Sequence, residues 1–398
     1  MNEPKRLRFA SLAGRVAPDG TDPWVLHWEA RQAAAAGKDV IVLSVGDPDI
    51  ETPPAVIDSA IRAMRGGDTH YTETAGRPAL RAAVAARHAA RTGQAVTAEN
   101  VIVLGGTQNS LFVASLLLAG PGDEVIALDP MYATYPATIR ASGATLVAVP
   151  TPESRDFHTD LALIEAAVTP RTRAIFVATP TTPRGVVLGD AEADGLADLA
   201  RRRGLWLVSD EVYAGLAEGG RVPSLGARLP DQVLTVASLS KTHAMTGWRC
   251  GWLVGPKDLI VHAHDLAQCM LYGLPGFVQE AAATALAMAG EAEAAMRDYC
   301  NRRSEILSSG LAGVPGIRTF RPQAGMFMLI DVRGTGLSGA EFVPSLYRAE
   351  GVSVLDGSVF GRETAGCVRA SFAVEEAQLQ GAARRIRRFC EGLAKRKS

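Results

Sequence analysis

Paired cysteines, net charge and long apolar runs are all scarce in this 398-residue chain. Its five cysteines (Cys250, Cys269, Cys300, Cys367 and Cys390) are odd in number, scattered and without a C-x-x-C pair. That argues against a disulfide framework or a zinc site and fits a reducing, cytoplasmic setting. Lys plus Arg number 41 against 42 Asp plus Glu, a formal net charge of -1. There is no global basic excess to hold a nucleic-acid backbone and no acidic tail. The longest apolar run, Leu111 to Ala119, is too short to span a bilayer. The basic start (Lys5, Arg6, Arg8) is not followed by an apolar stretch, so it does not read as a secretory signal. No G-x-G-x-x-G occurs, so a dinucleotide fingerprint is absent. What remains is a cytoplasmic chain whose partners are neither nucleic acid nor membrane. Its 47% hydrophobic residues are ample for two domains, or one large domain with an appendage.

The middle of the chain alternates short apolar runs with helix-type stretches. The runs are VIVL (101–104), EVIAL (124–128), TLVAV (145–149), AIFVA (174–178), LWLVS (205–209), VLTVA (233–237) and GWLVG (251–255). Helical stretches at 108–119, 160–168 and 191–203 lie between them. Continuous apolar strands without clean alternation are what a mostly parallel sheet, covered on both faces, requires. The fold class is therefore α/β. Near residue 290 the Ala-rich helical sequence of 258–309 gives way to sparser strands: FRPQAGMFMLIDV (320–332), GVSVL (351–355) and CVRASFA (367–373), with helices around 339–349 and at the end. These read as a smaller α+β domain over 290–398. Residues 1–50, ending in the strand-like VIVLSVG (40–46), join it, and 51–289 form the large domain. The basic residues of the last helix (Arg384, Arg385, Arg387, Arg388) read as a solvated face.

Ligands in open α/β sheets sit beyond the carboxyl ends of strands, so the residues after each strand are the candidates. Gly105-Gly106-Thr107-Gln108 follows VIVL and opens a helix; it is either a phosphate site at a helix N-terminus or an empty tight turn. Asp210-Glu211-Val212-Tyr213 follows LWLVS; the carboxylate either caps a helix or holds a positive charge. Ser238-Leu239-Ser240-Lys241 follows VLTVA, with His243 and Arg249 beyond. A lone Lys is usually a surface residue. With Asp210, Tyr213, Ser238 and Arg249 at neighbouring strand ends, Lys241 reads instead as an amine nucleophile beside an anion clamp. Desolvation and nearby cations lower a Lys pKa, and the neutral amine can form a Schiff base.

Seven stretches carry a family resemblance: LSVGDPDIETPP (43–54), HYTETAGRPALR (70–81), LGGTQ (104–108), PGDEVIALDPMYATY (121–135), SDEVY (209–213), SLSKTHAMTGWRCGW (238–252) and CVRASFA (367–373). The chain resembles the class I/II aminotransferases, pyridoxal-phosphate (PLP) enzymes of fold type I, over nearly its whole length. HAMTGWR with CMLYG (269–273) and GVSVLDGSVFG (351–361) look most like the arginine–pyruvate aminotransferases within it. The resemblance implies a large domain with a mostly parallel sheet of the seven-stranded type. It implies that Lys241 binds the cofactor covalently and then moves the proton between Cα and the cofactor. Asp210 would pair with the pyridine nitrogen, Tyr213 would hydrogen-bond the ring oxygen and Tyr132 would stack on the ring. Gly106, Thr107, Ser238, Ser240 and Arg249 would hold the phosphate, Arg249 through its bidentate fork. Arg369 would clamp the substrate α-carboxylate, with the Gly46 backbone close to it. Tyr71 would reach the phosphate of a neighbouring subunit, which implies a homodimer with shared sites acting on an amino acid and a 2-oxo acid.

One position departs from the family. Its usual Asn-Pro-Thr-Gly loop here reads Thr179-Pro180-Thr181-Thr182-Pro183-Arg184-Gly185, so Thr182 replaces the asparagine that donates to the ring oxygen. A shorter hydroxyl that donates or accepts alters that environment. Either transamination survives, or the outcome shifts to oxidation, hydroxylation or C–S lysis at the same cofactor; a third reading is a non-catalytic regulator on this fold. Arg184 either adds a cation near the site or is solvated. No Arg lies between Ala263 and Met296, where dicarboxylate-specific members supply a second one, so aspartate specificity is not supported. Glu51, Glu73, Trp24 and Trp28 are candidates for reading a basic donor, while His27, His262 and His264 read as structural.

Overall fold

The computed structural model describes residues 8–16 and 22–397, so Lys5 and Arg6 lie outside the described residues. After the short β1 (Ile41–Val42), seven strands form the main sheet: β2 (Val101–Leu104), β3 (Glu124–Asp129), β4 (Thr145–Pro150), β5 (Thr172–Ala178), β6 (Trp206–Asp210), β7 (Val233–Ser238) and β8 (Gly251–Val254). Their order is β2-β8-β7-β6-β5-β3-β4. β8 runs antiparallel to both neighbours, and every other pairing is parallel. The apolar runs read from the sequence are these strands, shifted by one or two residues at their ends. The inner strands are buried along both faces, and only the edge strand β4 shows an exposed face.

Helices cover both faces. Thr107–Leu118 and Lys257–Met270 pack Leu111, Val113, Ile260 and Ala263 against Ile102, Val125 and Leu234. Asp190–Arg203 packs Leu196, Leu199 and Ala200 against Ile126, Ile175 and Leu207 on the other face. A second, antiparallel sheet, ordered β12-β13-β10-β9, is built from β9 (Arg318–Phe320), β10 (Phe327–Asp331), β12 (Leu355–Asp356) and β13 (Cys367–Ser371). β11 (Val352–Ser353) pairs in parallel with β1. Ile41 and Leu43 share a buried core with Phe342, Leu346, Val352, Leu379 and Ile386, so the first strand packs onto C-terminal helices. Cutting Phe342 to Ala there would cost about 3–5 kcal/mol.

Three stretches differ from their sequence reading. The strand expected over 40–46 is regular only at Ile41–Val42. Beyond it the backbone leaves the ladder because Ser44 and Gly46 offer their carbonyls to side chains. FRPQAGMFMLIDV is split between β9 and β10 by a turn that includes Gly325 at φ 113°, a left-handed conformation that favours glycine. The Ala-rich segment is three helices, Lys257–Met270, Gly276–Ala287 and Ala289–Leu311.

Candidate active site

A cleft of about 910 Å³, counted to its open mouth, lies at the carboxyl ends of β5, β6 and β7, where the second sheet faces the first. Asp210 ends β6 and Lys241 lies three residues past the end of β7, so in-register parallel strands bring their side chains to one wall. Asp210 is buried; the Tyr135 hydroxyl donates to its Oδ2 at 2.9 Å and the Val212 N–H to its Oδ1 at 3.2 Å. Burial raises its pKa to about 6, against the pull of those hydrogen bonds, and the neighbouring Glu211 charge adds to the rise. Lys241 Nζ donates to the Gly46 carbonyl at 2.6 Å. Burial lowers that amine to about 8, with the Arg369 and Arg249 cations helping and Asp47 opposing.

Opposite lies a cradle suited to an anion. Gly106 sits at φ 91° just before the helix Thr107–Leu118. A Cβ on Gly106 would stand 2.5 Å from Arg249 Nη2, so only glycine lets that guanidinium come so close. Arg249, itself at φ 53°, is fixed by donating to Thr246 O at 2.8 Å and Gly105 O at 3.0 Å. Thr107 Oγ1 is buried without a partner among the described residues. Ser238 and Ser240 also line the cleft, and the Ser238 hydroxyl accepts from the Ser240 N–H at 3.3 Å. Aligned N–H groups, hydroxyls and an Arg fork are what a phosphate monoester needs.

The far wall carries Arg369, central in β13 and 3% exposed. Its Nη2 donates to Ser44 O at 2.8 Å, and its guanidinium lies 3.8 Å from the Phe327 ring centroid and 4.5 Å from that of Phe360. Nε has no partner among the described residues, and burial lowers the group to about 10. This is a desolvated cation held on aromatic faces with donor capacity to spare, ready for a carboxylate. A Cβ on Gly46 would collide with the Phe327 ring, so glycine there lets ring and backbone meet. Tyr132, Tyr213 and Thr182 line the same cleft, and burial raises the pKa of both tyrosines.

Twelve of the thirteen expected site residues are thus in or at one cleft. Tyr71 is not: it is 87% exposed and rests edge-on against Tyr272, ring centroids 5.1 Å apart. Of the four specificity candidates only Trp24 lines the cleft; Trp28 is 58% exposed, and Glu51 and Glu73 are exposed. Arg184 is neither solvated nor near the site. It is buried, paired with Asp156 at 2.7 Å and stacked between Phe157 and Phe320. His27 is buried against Ser44 Oγ at 2.8 Å. Among the described residues no group of His, Cys, Asp and Glu could hold a metal ion. Arg385 and Arg388 are not simply solvated but pair with Asp39 and Glu350. Sequence reasoning missed Tyr135, Phe327, Phe360 and the Ser44 carbonyl. Tyr135 was within reach, because it follows β3 on the same edge of the sheet; the others need the register of the second sheet.

The chain belongs to the aminotransferase class I and II family, which it matches over residues 38–386, and its fold is that of fold type I. It is 43% identical over 383 residues to arginine–pyruvate transaminase AruH of Pseudomonas aeruginosa, covering 96% of this chain and 97% of the relative. The aspartate aminotransferase of Geobacillus stearothermophilus is 33% identical over 397 residues, 98% and 100% of the two chains. Among solved structures, the aspartate aminotransferase of Thermus thermophilus with maleate matches with a TM-score of 0.91 at 32% identity, covering 96% of this chain and 100% of that one.

Proposed function

We propose that this aminotransferase uses PLP to take an amino group from a basic amino acid, arginine foremost, and to give it to a 2-oxo acid such as pyruvate. The observation that carries the reading is the joint placement of Lys241 and Asp210 on one cleft wall, between an anion cradle and a buried Arg369. These residues fit PLP. The orphaned Thr107 hydroxyl, the Gly106 turn, Ser238, Ser240 and Arg249 would hold its phosphate. Asp210 would hold the protonated ring nitrogen, Tyr213 and Thr182 the ring oxygen, and Tyr132 a ring face. When bound, the cofactor supplies the electron sink that lets a Cα proton leave, and it carries the amino group between half-reactions.

Lys241 is the group that moves that proton. Its pKa of about 8 leaves a useful fraction of neutral amine near neutrality, as a general base needs. Arg369 and the nearby Gly46 backbone would orient the α-carboxylate, which fixes where Cα sits relative to Nζ. The closing wall of Phe327 and Phe360 keeps water from the guanidinium and so strengthens its pull on a carboxylate.

Two features support a donor other than a dicarboxylate. The arginines lining the cleft, Arg249 and Arg369, both have other tasks, and no further arginine among the described residues lines it. Trp24 offers an aromatic face, over which a guanidinium gains about 0.5–2 kcal/mol. The 43% identity to an arginine–pyruvate transaminase supports the same donor and acceptor. We read the working unit as a homodimer in which Tyr71, exposed beside Tyr272, serves the neighbour's site, and the setting as the cytoplasm, in keeping with five free cysteines. The test is an amino-donor panel with pyruvate and 2-oxoglutarate as acceptors, with oxygen uptake and ammonia release measured beside amino transfer. Arginine with pyruvate should be the best pair. An inert arginine would remove the donor assignment, and ammonia release without amino transfer would move the Thr182 site to a different reaction.

A further inference from the structure

Behind the strand ends lies a second cavity that the proposed chemistry does not use. It is lined by Arg87, His88, Arg91, Glu211, His243 and Glu293. Side chains alternate along a strand, so Asp210 faces the cleft while Glu211 faces this cavity, and the Ser209 hydroxyl donates to Glu211 Oε1 at 3.0 Å. The Glu211 side chain is fully buried, and Arg91 Nη2, from the last turn of the helix Pro78–Thr92, forms an ion pair with its Oε2. One turn earlier Arg87 pairs with Glu293 across the same cavity. The main chain is pinned alongside: Glu211 N–H donates to Val236 O, and Thr179 N–H to Asp210 O, each at 2.9 Å.

We propose that Arg91 is a positioning residue for Asp210: by pairing with Glu211 it offsets part of the charge of a carboxylate that stands back to back with the one facing the cofactor. The inference rests on the reading of Asp210 given above. No other group facing Glu211 replaces Arg91. Arg87 is committed to Glu293. His88 bonds Gln94 at 2.8 Å, and burial holds it below the usual histidine range. His243, lowered by burial to about 4, bonds Thr242 at 2.7 Å and is neutral at working pH. Ser209 donates one hydrogen bond but no charge. Without Arg91, the Glu211 charge would disfavour ionisation of Asp210 more strongly, as in any like-charge pair. Breaking a buried pair from one side leaves the other charge uncompensated. The expected consequence is a lower population of ionised Asp210 near neutrality, and a weaker hold on the cofactor there.

The test measures PLP affinity of the purified full chain by equilibrium binding between pH 5 and 9, each variant read as a difference from the unaltered protein. R91M should move the acid limb of binding upward, by about one pH value, which is about tenfold weaker binding below both limbs. E211Q, which leaves Arg91 charged, should move it downward; R91M/E211Q should restore it, and R91K should leave it in place. An R91M limb that stays put overturns the inference, as does a pH-independent loss that R91M/E211Q does not repair, because a merely structural role would produce it. Should R91M fail to fold, E211Q decides alone, an unmoved limb overturning the proposal. D210N keeps the two readings apart: if it binds PLP with the unaltered acid limb, the role given to Asp210 fails. If the limb is abolished there but unmoved in E211Q, only the role of Arg91 fails.

Discussion

Replacing Arg369 by leucine should separate stability from function. At pH 7 its guanidinium is charged in the folded and unfolded chains alike. Lowering it to about 10 from the ordinary arginine value therefore means that the charged form costs the cofactor-free fold about 3 kcal/mol. The sign follows from the direction: the cost is fully present below the folded pKa and fades as pH rises from about 10 towards the ordinary arginine value. R369L removes that cost. It also leaves the Ser44 carbonyl without its donor, about 1–3 kcal/mol, and removes the cation from Phe327 and Phe360, about 0.5–2 kcal/mol. These terms nearly cancel, so the melting temperature of the cofactor-free protein should change little in either direction.

Catalysis should not be spared. A guanidinium with a free Nε and a partly used Nη2 makes two charge-assisted hydrogen bonds to a carboxylate, each worth about 1.5–3 kcal/mol. Their loss predicts a fall in kcat/KM of about a hundredfold to ten-thousandfold. The assay pairs arginine with agmatine, the same side chain without the α-carboxylate. R369L should lose its advantage for arginine while agmatine turnover, however slow, stays level. An equal loss on both donors, or a melting temperature that collapses along with activity, would refute the assignment and make Arg369 a structural residue.

In the cofactor-free protein, Lys241 should resist amine-acylating reagents below about pH 8. Because burial lowers its folded pKa, the penalty on stability holds below about 8 and is relieved by about 3 kcal/mol as pH rises towards 10.5; K241M should lack this rise in denaturant titrations. Y135F removes the hydroxyl bonded to Asp210 and should raise that carboxyl, weakening PLP binding about tenfold or more near pH 6 while changing it little at pH 8.5. W24L should raise KM for arginine about 2- to 30-fold and leave alanine nearly unchanged, as steady-state kinetics would show. Mixing inactive K241A and Y71A chains should recover up to about a quarter of full activity if Tyr71 serves the partner's site, since half the dimers are then hybrids with one intact site; no recovery would place Tyr71 in its own chain's site, and an active Y71A would place it outside the chemistry.

Much of the sheet was legible because fully buried parallel strands leave unbroken apolar runs, and VIVL, EVIAL and VLTVA stand in the structure almost where they read. The cleft was legible for a related reason. A parallel sheet ties position along the chain to position in space, so residues just after strands converge at one edge. That rule located Gly106, Asp210 and Ser238, and Lys241 three residues further on, without any knowledge of side-chain contacts. It does not reach groups that arrive from another sheet. Phe327 and Phe360 read as ordinary core residues until the pairing of β10 with β13 sets Phe327 beside Arg369. Arg184 shows the reverse error: its neighbour Thr182 lines the cleft, but the loop turns the Arg into the gap between Phe157 and Phe320. Tyr71 marks another limit: on the dimer proposed above it would serve the neighbouring chain, and such a residue has no informative surroundings within its own.

What composition hides altogether is the direction in which the site's charges are strained. A net charge of -1 over 398 residues averages away three buried groups that the fold pushes towards neutrality: Lys241 down to about 8, Arg369 down to about 10 and Asp210 up to about 6. Each is unfavourable in the empty cleft, and the same burial is the largest cause in all three. On the proposed function, the cofactor would bring a carbonyl carbon to Lys241 and a protonated ring nitrogen to Asp210, and the substrate a carboxylate to Arg369, so that the two together relieve all three. Ligand that binds only the folded state raises stability by mass action, so stability withheld from the empty protein reappears as affinity. By that reasoning, variants that neutralise Lys241 or Asp210 should narrow the gap in melting temperature between cofactor-free and cofactor-loaded protein, and should do so from both ends.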